Sequence, residues 1–449
     1  MLAVELERRL NDFDPMVRQQ AIRELAGQLD SRQIIPKPEN EAFNLHCHTF
    51  FSFNAYGYSP SGLAFLAKMQ GFKAIGIVDF DTLDGVNEFL DACETLGVRG
   101  SAGIETRVFI PEFSSREINS PGEPGICYHM GIGFTSNAIP ESALGIANNL
   151  RQRSNQRNRE MVSRINEYLH PVSIDYDLDV LPLTPTGNVT ERHILTAYIQ
   201  SVEKQISDVI PYWAKTLGLS SVQIQEAIAD SGKFTNLIRS KLMKRGSVGY
   251  ALPGPSMFPS IEEFHSLITA CGAIPCFTWL NGISAGEKHI QELLDLLVSK
   301  GVAAVNVIPD RNWNISDPEQ RRIIVKKLTG FIQLAQELEL PIIVGTEMNS
   351  PGNKLVDDFN VPELLPFYQI FLDGAYFIFG HTFLQRNIGP EFGYPSEWAR
   401  THFPGRHERN AFYVQAGRLA PTGKIDSGLF LRNDSSYTPD EIITKLKNL

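Results

Sequence analysis

Apolar and polar positions alternate along this chain in two rhythms that repeat in order. Short apolar runs of strand length occur at 42–48, 73–79, 99–109 and 126–134. Between them lie segments with apolar residues at helical spacing. One is 60–70, capped by Ser59 and carrying Leu63, Leu66 and Ala67; another is 84–96. The rhythm returns later, with helices expected at 261–271, 287–300 and 318–339 and strands at 273–278, 302–308 and 341–347. Strands regularly alternating with helices predict an α/β chain with a parallel sheet or a β/α barrel.

Three stretches break the rhythm. Residues 2–30 read as two helices, the second capped by Asp14 with Pro15 at its first position and Val17, Ile22, Leu25 and Leu29 near one face. Residues 141–250 are polar, helical and rich in Arg, Asn and Gln. The last hundred residues are rich in aromatics, Pro and Gly, and the apolar run 375–379, ending at Gly380-His381, reads as a strand. The expected organisation is an N-terminal helical extension (1–40), a first barrel part (41–140), a helical insertion (141–255), a second barrel part (256–350) and a C-terminal extension (351–449) that completes or covers the barrel.

Polar residues gather where the strands should end: His46, His48, Asp79, Glu105, His129, Thr278, Asp310 and Glu347. Strand ends of a β/α barrel converge on one mouth, where sites form. His46 and His48 are two apart, so on a strand both imidazoles face one way and Cys47 the other. Histidines with carboxylates suit a borderline divalent ion such as Zn, Mn or Fe. A pair of satisfied core histidines is the plainer reading. Likewise, Glu347 could bond nearby backbone, Asp79 could accept bonds from the turn that follows it, and Trp279 and Trp313 could stack on a base or merely line a wall.

Composition narrows the setting. The 449 residues are 43% hydrophobic, enough for a large core, and the net charge of −10 with no basic block disfavours an extended nucleic-acid or membrane surface. Five scattered cysteines without a CxxC pair, no visible signal peptide and no membrane-length apolar stretch suggest a reduced, cytoplasmic protein. Oligomeric state is not legible.

The ordered set His46-Cys-His48-Thr49, Val78-Asp-Phe-Asp-Thr-Leu-Asp-Gly85, Gly103-Ile-Glu105, His129-Met-Gly131-Ile-Gly133 and Gly345-Thr-Glu347-Met-Asn349 resembles the PHP (polymerase and histidinol phosphatase) family. The resemblance spans roughly 42–350 and points to the branch acting on nucleotide phosphates, with a helical insertion. It implies a distorted seven-stranded β/α barrel and a metal-dependent phosphoesterase. Carried over by motif, one ion would be held by His46, His48, Glu105 and Glu347, the last in place of the family's Asp. A second would share Glu105 and take His129, but its other histidine is missing from Phe277-Thr278-Trp279. Ligands of a third fall on Phe53, Phe80 and Asn349, which implies that this ion is absent. One or two divalent ions are therefore expected, with Glu105 and His129 in the chemistry and His129 able to protonate a leaving group. His381 is a candidate replacement ligand, or a structural histidine outside the barrel.

The family branch contacts phosphate with an Arg-Pro-His in its insertion. Here Arg192-His193 keeps two of the three residues, and an ordinary helix start capped by Thr190 is the competing reading. Arginines 151, 153, 157 and 159 form a basic helical run, as a rule a solvated face. The resemblance thus implies a hydrolase of a small phosphorylated metabolite, for instance a nucleotide. A ligand-binding protein with impaired catalysis and a metal hydrolase of a non-phosphate bond remain as alternatives.

Overall fold

The computed structural model describes residues 3–250, 257–425, 430 and 437–449; the expected boundary at 255/256 lies outside them. The elements follow in chain order: α1 (Ala3–Arg9), α2 (Pro15–Asp30), β1 (Phe43–Cys47), α3 (Pro60–Gln70), β2 (Ala74–Phe80), α4 (Val86–Leu96), β3 (Gly100–Phe109) and β4 (Ile126–Ile132). The insertion supplies α5 (Glu141–Leu169), α6 (Glu191–Gln205), α7 (Val209–Leu217), α8 (Ser221–Ile228) and α9 (Ser231–Leu242). The barrel resumes with α10 (Ile261–Ala270), β5 (Ile274–Trp279), α11 (Ile290–Ser299), β6 (Ala304–Val307), α12 (Asp310–Trp313), α13 (Pro318–Glu337) and β7 (Ile342–Val344). Four helices end the chain: α14 (Tyr368–Asn387), α15 (Glu397–His402), α16 (Arg406–Leu419) and α17 (Pro439–Lys447).

Among the described residues the sheet has seven strands in sequential order, β1 to β7. It is nearly closed: Glu347 N donates to His46 O (2.7 Å) and His48 N to Glu347 O (2.8 Å), so the segment after β7 meets the end of β1. The seam needs a bare backbone, because a Cβ on Gly345 would sit 2.4 Å from His46 N. The fold is thus the distorted seven-stranded barrel of the α/β class, wrapped by helices.

One strand departs from the expected parallel order. β4 runs antiparallel to both β3 and β5. Only a short 3-10 turn, Pro111–Phe113, occupies the connection from β3, and without a crossover helix the chain returns alongside itself. The N-terminal end of β4 therefore lies at the mouth, with Ile126 opposite Phe109.

A second correction concerns 375–379, which is helical. These residues lie inside α14, where Phe377, Ile378, Phe379, Gly380 and His381 are all buried. A short run apolar on every side has no period to separate strand from helix, and a helix buried all round produces one. Gly374 packs against Ile342 at the start of β7, and His381 Nε2 meets Gly133 O (2.9 Å) just past β4. α14 therefore covers the barrel end opposite the mouth.

The insertion has a core of its own, built around Ile165, Leu195, Tyr198, Trp213 and Ile238, separate from the barrel core. No described helix is long and apolar enough to cross a membrane.

Candidate metal centre

Alternation along β1 turns Leu45 and Cys47 into the surrounding core and His46 and His48 into the barrel, where both are fully buried. Glu105 comes from β3, opposite Phe80 of β2 and Met130 of β4. Its Oε2 lies 3.4 Å from His46 Nε2 and 3.3 Å from His48 Nε2. Among the described residues this is the one group of three or more side chains placed to hold an ion.

The other nitrogen of each ring fixes its tautomer. Asn306 donates its amide to Ile343 O (3.1 Å), which leaves Asn306 Oδ1 to accept from His46 Nδ1 at 3.1 Å. Ser52 donates its hydroxyl to Asp79 (2.6 Å) and so accepts from His48 Nδ1 at 3.0 Å. Asp79 also takes Thr49 N and Thr49 Oγ1, both at 2.7 Å. It therefore braces the loop after β1, not the turn after its own strand. With both Nδ1 atoms donating, each Nε2 turns a lone pair toward the Glu105 carboxylate.

These three converging atoms, His46 Nε2, His48 Nε2 and Glu105 Oε2, are buried and have no hydrogen-bond partner. Lone pairs facing a carboxylate without a cation between them would be costly. Two donors each about 2.1 Å from an ion at a tetrahedral angle stand about 3.4 Å apart, the spacing found here. Only a positive charge can relieve that cost: with a proton in that place, the carboxylates of Glu105 and Glu347 carry the His46 pKa up against burial, and the same attraction holds the buried Glu105 carboxyl down at about 2. A bound cation would take the place of that proton. The residues fit a divalent ion, and two histidines with one glutamate leave positions open, as catalytic sites do.

The outer contacts carry a prediction of their own. Ser52→Ala or Asn306→Leu removes the acceptor that orients one ring, and each should weaken metal affinity by about 10-fold or more. Competition with a chromogenic chelator reads this; unchanged affinity in both variants would remove their orienting role.

The remaining expected site residues fall elsewhere. His129 is one step out of phase: Tyr128 and Met130 share the inward parity of Arg107 and Glu105, and His129 faces outward. Its Nε2 bonds His265 Nε2 of α10 at 2.7 Å, and its ring meets Phe264. It is therefore neither beside the ion site nor beside a leaving group. Glu347 stands at the seam, adopts φ +67°, and pairs its carboxylate with Arg311, outside the group of three. Phe80 stacks on His48 (4.6 Å between ring centres), and Phe53 meets His193 edge-on at 5.2 Å. Thr278 lines the cavity, whereas Trp279 is buried against Phe331 at 4.6 Å. His381 is structural: besides meeting Gly133 O, it accepts Tyr394 N at 2.9 Å.

His193 does not line the cavity. Its Nδ1 accepts Thr190 N at 3.1 Å, completing a cap on α6, and burial pushes its pKa down to about 3. A base held neutral in the fold takes a proton on unfolding, so its stabilisation is full above the unfolded pKa and lost as pH falls below about 6.5. Near pH 4 this amounts to about 3 kcal/mol. Denaturant unfolding at pH 7 and pH 4 should show that the loss is smaller in His193→Gln; an equal loss would assign it to other groups.

Arg192 does line the cavity, its fork held by Asn236 Oδ1 and Ser350 Oγ, both at 2.9 Å. Burial lowers its pKa to about 10. The cavity holds about 870 Å³, within the range of sites for nucleotide-sized ligands. Acids reach it mostly from the barrel (Asp81, Glu105, Glu347) and cations mostly from the insertion (Arg157, Arg239, Lys244).

No known family's sequence profile matches the chain, and no curated protein matches it in sequence. Among solved structures it is similar to an amidohydrolase from Chromobacterium violaceum with bound sulfate and no metal (16% identity over 74% of this chain and 96% of that one, TM-score 0.49). It is also similar to a protein from Bifidobacterium adolescentis provisionally named a metal-dependent phosphoesterase (20% identity, 74% and 97%, TM-score 0.46). Similarity this low leaves function to be read from the site.

Proposed function

We infer that the chain is a metal-dependent phosphoesterase acting on a small phosphorylated metabolite of nucleotide size, related to the PHP family and built around one ion. The observation that carries this reading is the trio of orphaned, converging atoms on His46, His48 and Glu105 at 3.3–3.4 Å. A divalent ion held there would supply Lewis acidity toward a phosphoryl oxygen and acidify a water.

The chain's own residues support an anionic substrate in the cavity above. Arg192, pre-set by Asn236 and Ser350, offers a planar fork suited to phosphate oxygens. Asn306 and Ser52 keep the two imidazoles aimed at one point beside the Glu105 carboxylate. Phe80 and Phe53 exclude water from one side of His48 and seal the base of α6. His193 serves by capping that helix, so that neighbouring Arg192 faces the cavity. Reduced cysteines, four of the five buried, suit a cytoplasmic setting.

The test is hydrolysis of an aryl phosphate by the purified chain loaded with Mn or Zn. Turnover that a chelator abolishes and Arg192→Ala depresses is expected. Metal binding without turnover of any phosphate ester would point to a ligand-binding protein. Turnover indifferent to Arg192→Ala would remove Arg192 from phosphate binding.

A further inference from the structure

Hydrolysis of an alkyl ester releases an alkoxide, which departs poorly unless a positioned group gives it a proton. His129 faces away from the mouth, and among the described residues no histidine or cysteine lines the cavity. Most other proton carriers on its wall are engaged. Lys244 donates to Glu191 at 2.9 Å, and the Tyr250 hydroxyl donates to Glu123 at 3.0 Å. The carboxylates pair with cations, as Glu191 does with Arg239 and Glu347 with Arg311. Guanidinium groups keep their protons.

Tyr128 differs. It enters from β4 on the inward face, in register with Arg107 of β3, and lines the cavity. Its ring centre stands 6.3 Å from that of Phe80, which itself stacks on His48, so the phenol lies one aromatic ring away from the ion site. Asn119 Oδ1 accepts the Tyr128 backbone N–H at 2.8 Å and fixes that end of the residue. Among the described residues the Tyr128 hydroxyl makes no hydrogen bond, which leaves its proton free for a ligand in the cavity. Burial raises the phenol's pKa, and nearby Glu105 also opposes its ionisation, so it carries a proton at neutral pH. Arg107 and Arg239 pull the other way and would stabilise the phenolate left once that proton is given up.

Resting on the phosphoesterase reading, we propose that Tyr128 is the acid of the reaction, its Oη–H protonating the oxygen of the departing alcohol. Water forms the new bond to phosphorus, and its surplus proton passes to solvent. The bond from phosphorus to the alcohol oxygen breaks, the electron pair stays on that oxygen, and the oxygen takes the Tyr128 proton. The phenolate then recovers a proton from solvent. An acid in this place suits the chain to alkyl phosphate esters, whose alkoxides need one.

Two esters test it on the full chain loaded with Mn: ethyl phosphate, whose alkoxide needs a proton, and para-nitrophenyl phosphate, whose phenolate leaves without one. Tyr128→Phe should lower kcat for ethyl phosphate about a hundredfold, the low end for a general acid, and leave kcat for the aryl ester nearly unchanged. Calorimetry with ethylphosphonate, which is not hydrolysed, should give wild-type affinity in the variant and so show that it folds with its site intact. Wild type alone offers a second reading. Across substituted phenyl phosphates its rate should depend weakly on the acidity of the phenol released, and the variant's rate steeply. Equal losses on both esters, no loss on ethyl phosphate, or a steep dependence in wild type overturns the acid and leaves the phosphoesterase reading standing. A wild type that hydrolyses neither ester removes that reading and the acid's role with it.

Discussion

Replacing His46 and His48 together by alanine is expected to leave the purified chain without its divalent ion and to lower phosphoester turnover by about 10³-fold or more, roughly 4 kcal/mol of barrier. Two of the three convergent donors disappear, and Glu105 alone cannot hold a borderline ion in competition with water. Elemental analysis of wild type beside the variant reads the ion directly. Thermal unfolding adds an independent measure, because an ion that binds only the folded chain raises its melting temperature, and does so further as its concentration rises above Kd. Wild type should gain with added Mn or Zn and lose with a chelator, and the variant should do neither. Glu105→Gln provides the conservative partner experiment, removing the charge while keeping the shape. An ion retained at wild-type stoichiometry in the double variant would place the metal elsewhere and remove the basis of the functional reading.

The second large effect lies far from the chemistry, where α14 crosses α16. A Cβ on Gly417 would stand 1.9 Å from Tyr376 O, and one on Gly380 2.1 Å from Tyr413 O. Backbone cannot yield as a flexible side chain does, so Gly417→Ala or Gly380→Ala must push the helices apart. Each should cost about 3 kcal/mol, the upper end for overpacking. Gly330 in α13 is the internal control, since its added Cβ meets nothing within 4 Å. Gly330→Ala should stabilise by about 0.5–1 kcal/mol through helix propensity. Urea unfolding compares all three; a Gly417→Ala as stable as Gly330→Ala would mean that the helices are not locked at their crossing.

The barrel was legible because its strands are short apolar runs punctuated by amphipathic helices, a contrast that needs no tertiary knowledge. The pair His46 and His48 was legible for the same reason, since a period of two settles which side chains share a face. Glu105 could be found because a carboxylate closing an apolar strand calls for a cation. The direction of β4 was not legible: nothing local distinguishes a strand that returns from one that crosses over, and with the direction went the placing of His129. α14 was misread because its neighbours, not its own pattern, bury it on all sides. The cations of the cavity escaped because Arg107, Arg157, Arg239 and Lys244 come from separate elements and meet only in the fold. In the run 151–159 the helical turn of 3.6 residues fans the arginines apart, so that Arg157 enters the cavity while Arg159 pairs with Asp177 outside it.

The bond between His46 and Asn306 joins groups 260 residues apart in sequence. During synthesis at about 5–20 residues per second, the histidines leave the ribosome tens of seconds before the amide that orients one of them. Through that interval nothing but the intrinsic affinity order of imidazole for divalent ions distinguishes one metal from another. The centre acquires its geometry only when the last strand arrives, so an ion held there would be selected by the finished barrel and not by whichever metal the nascent chain meets first.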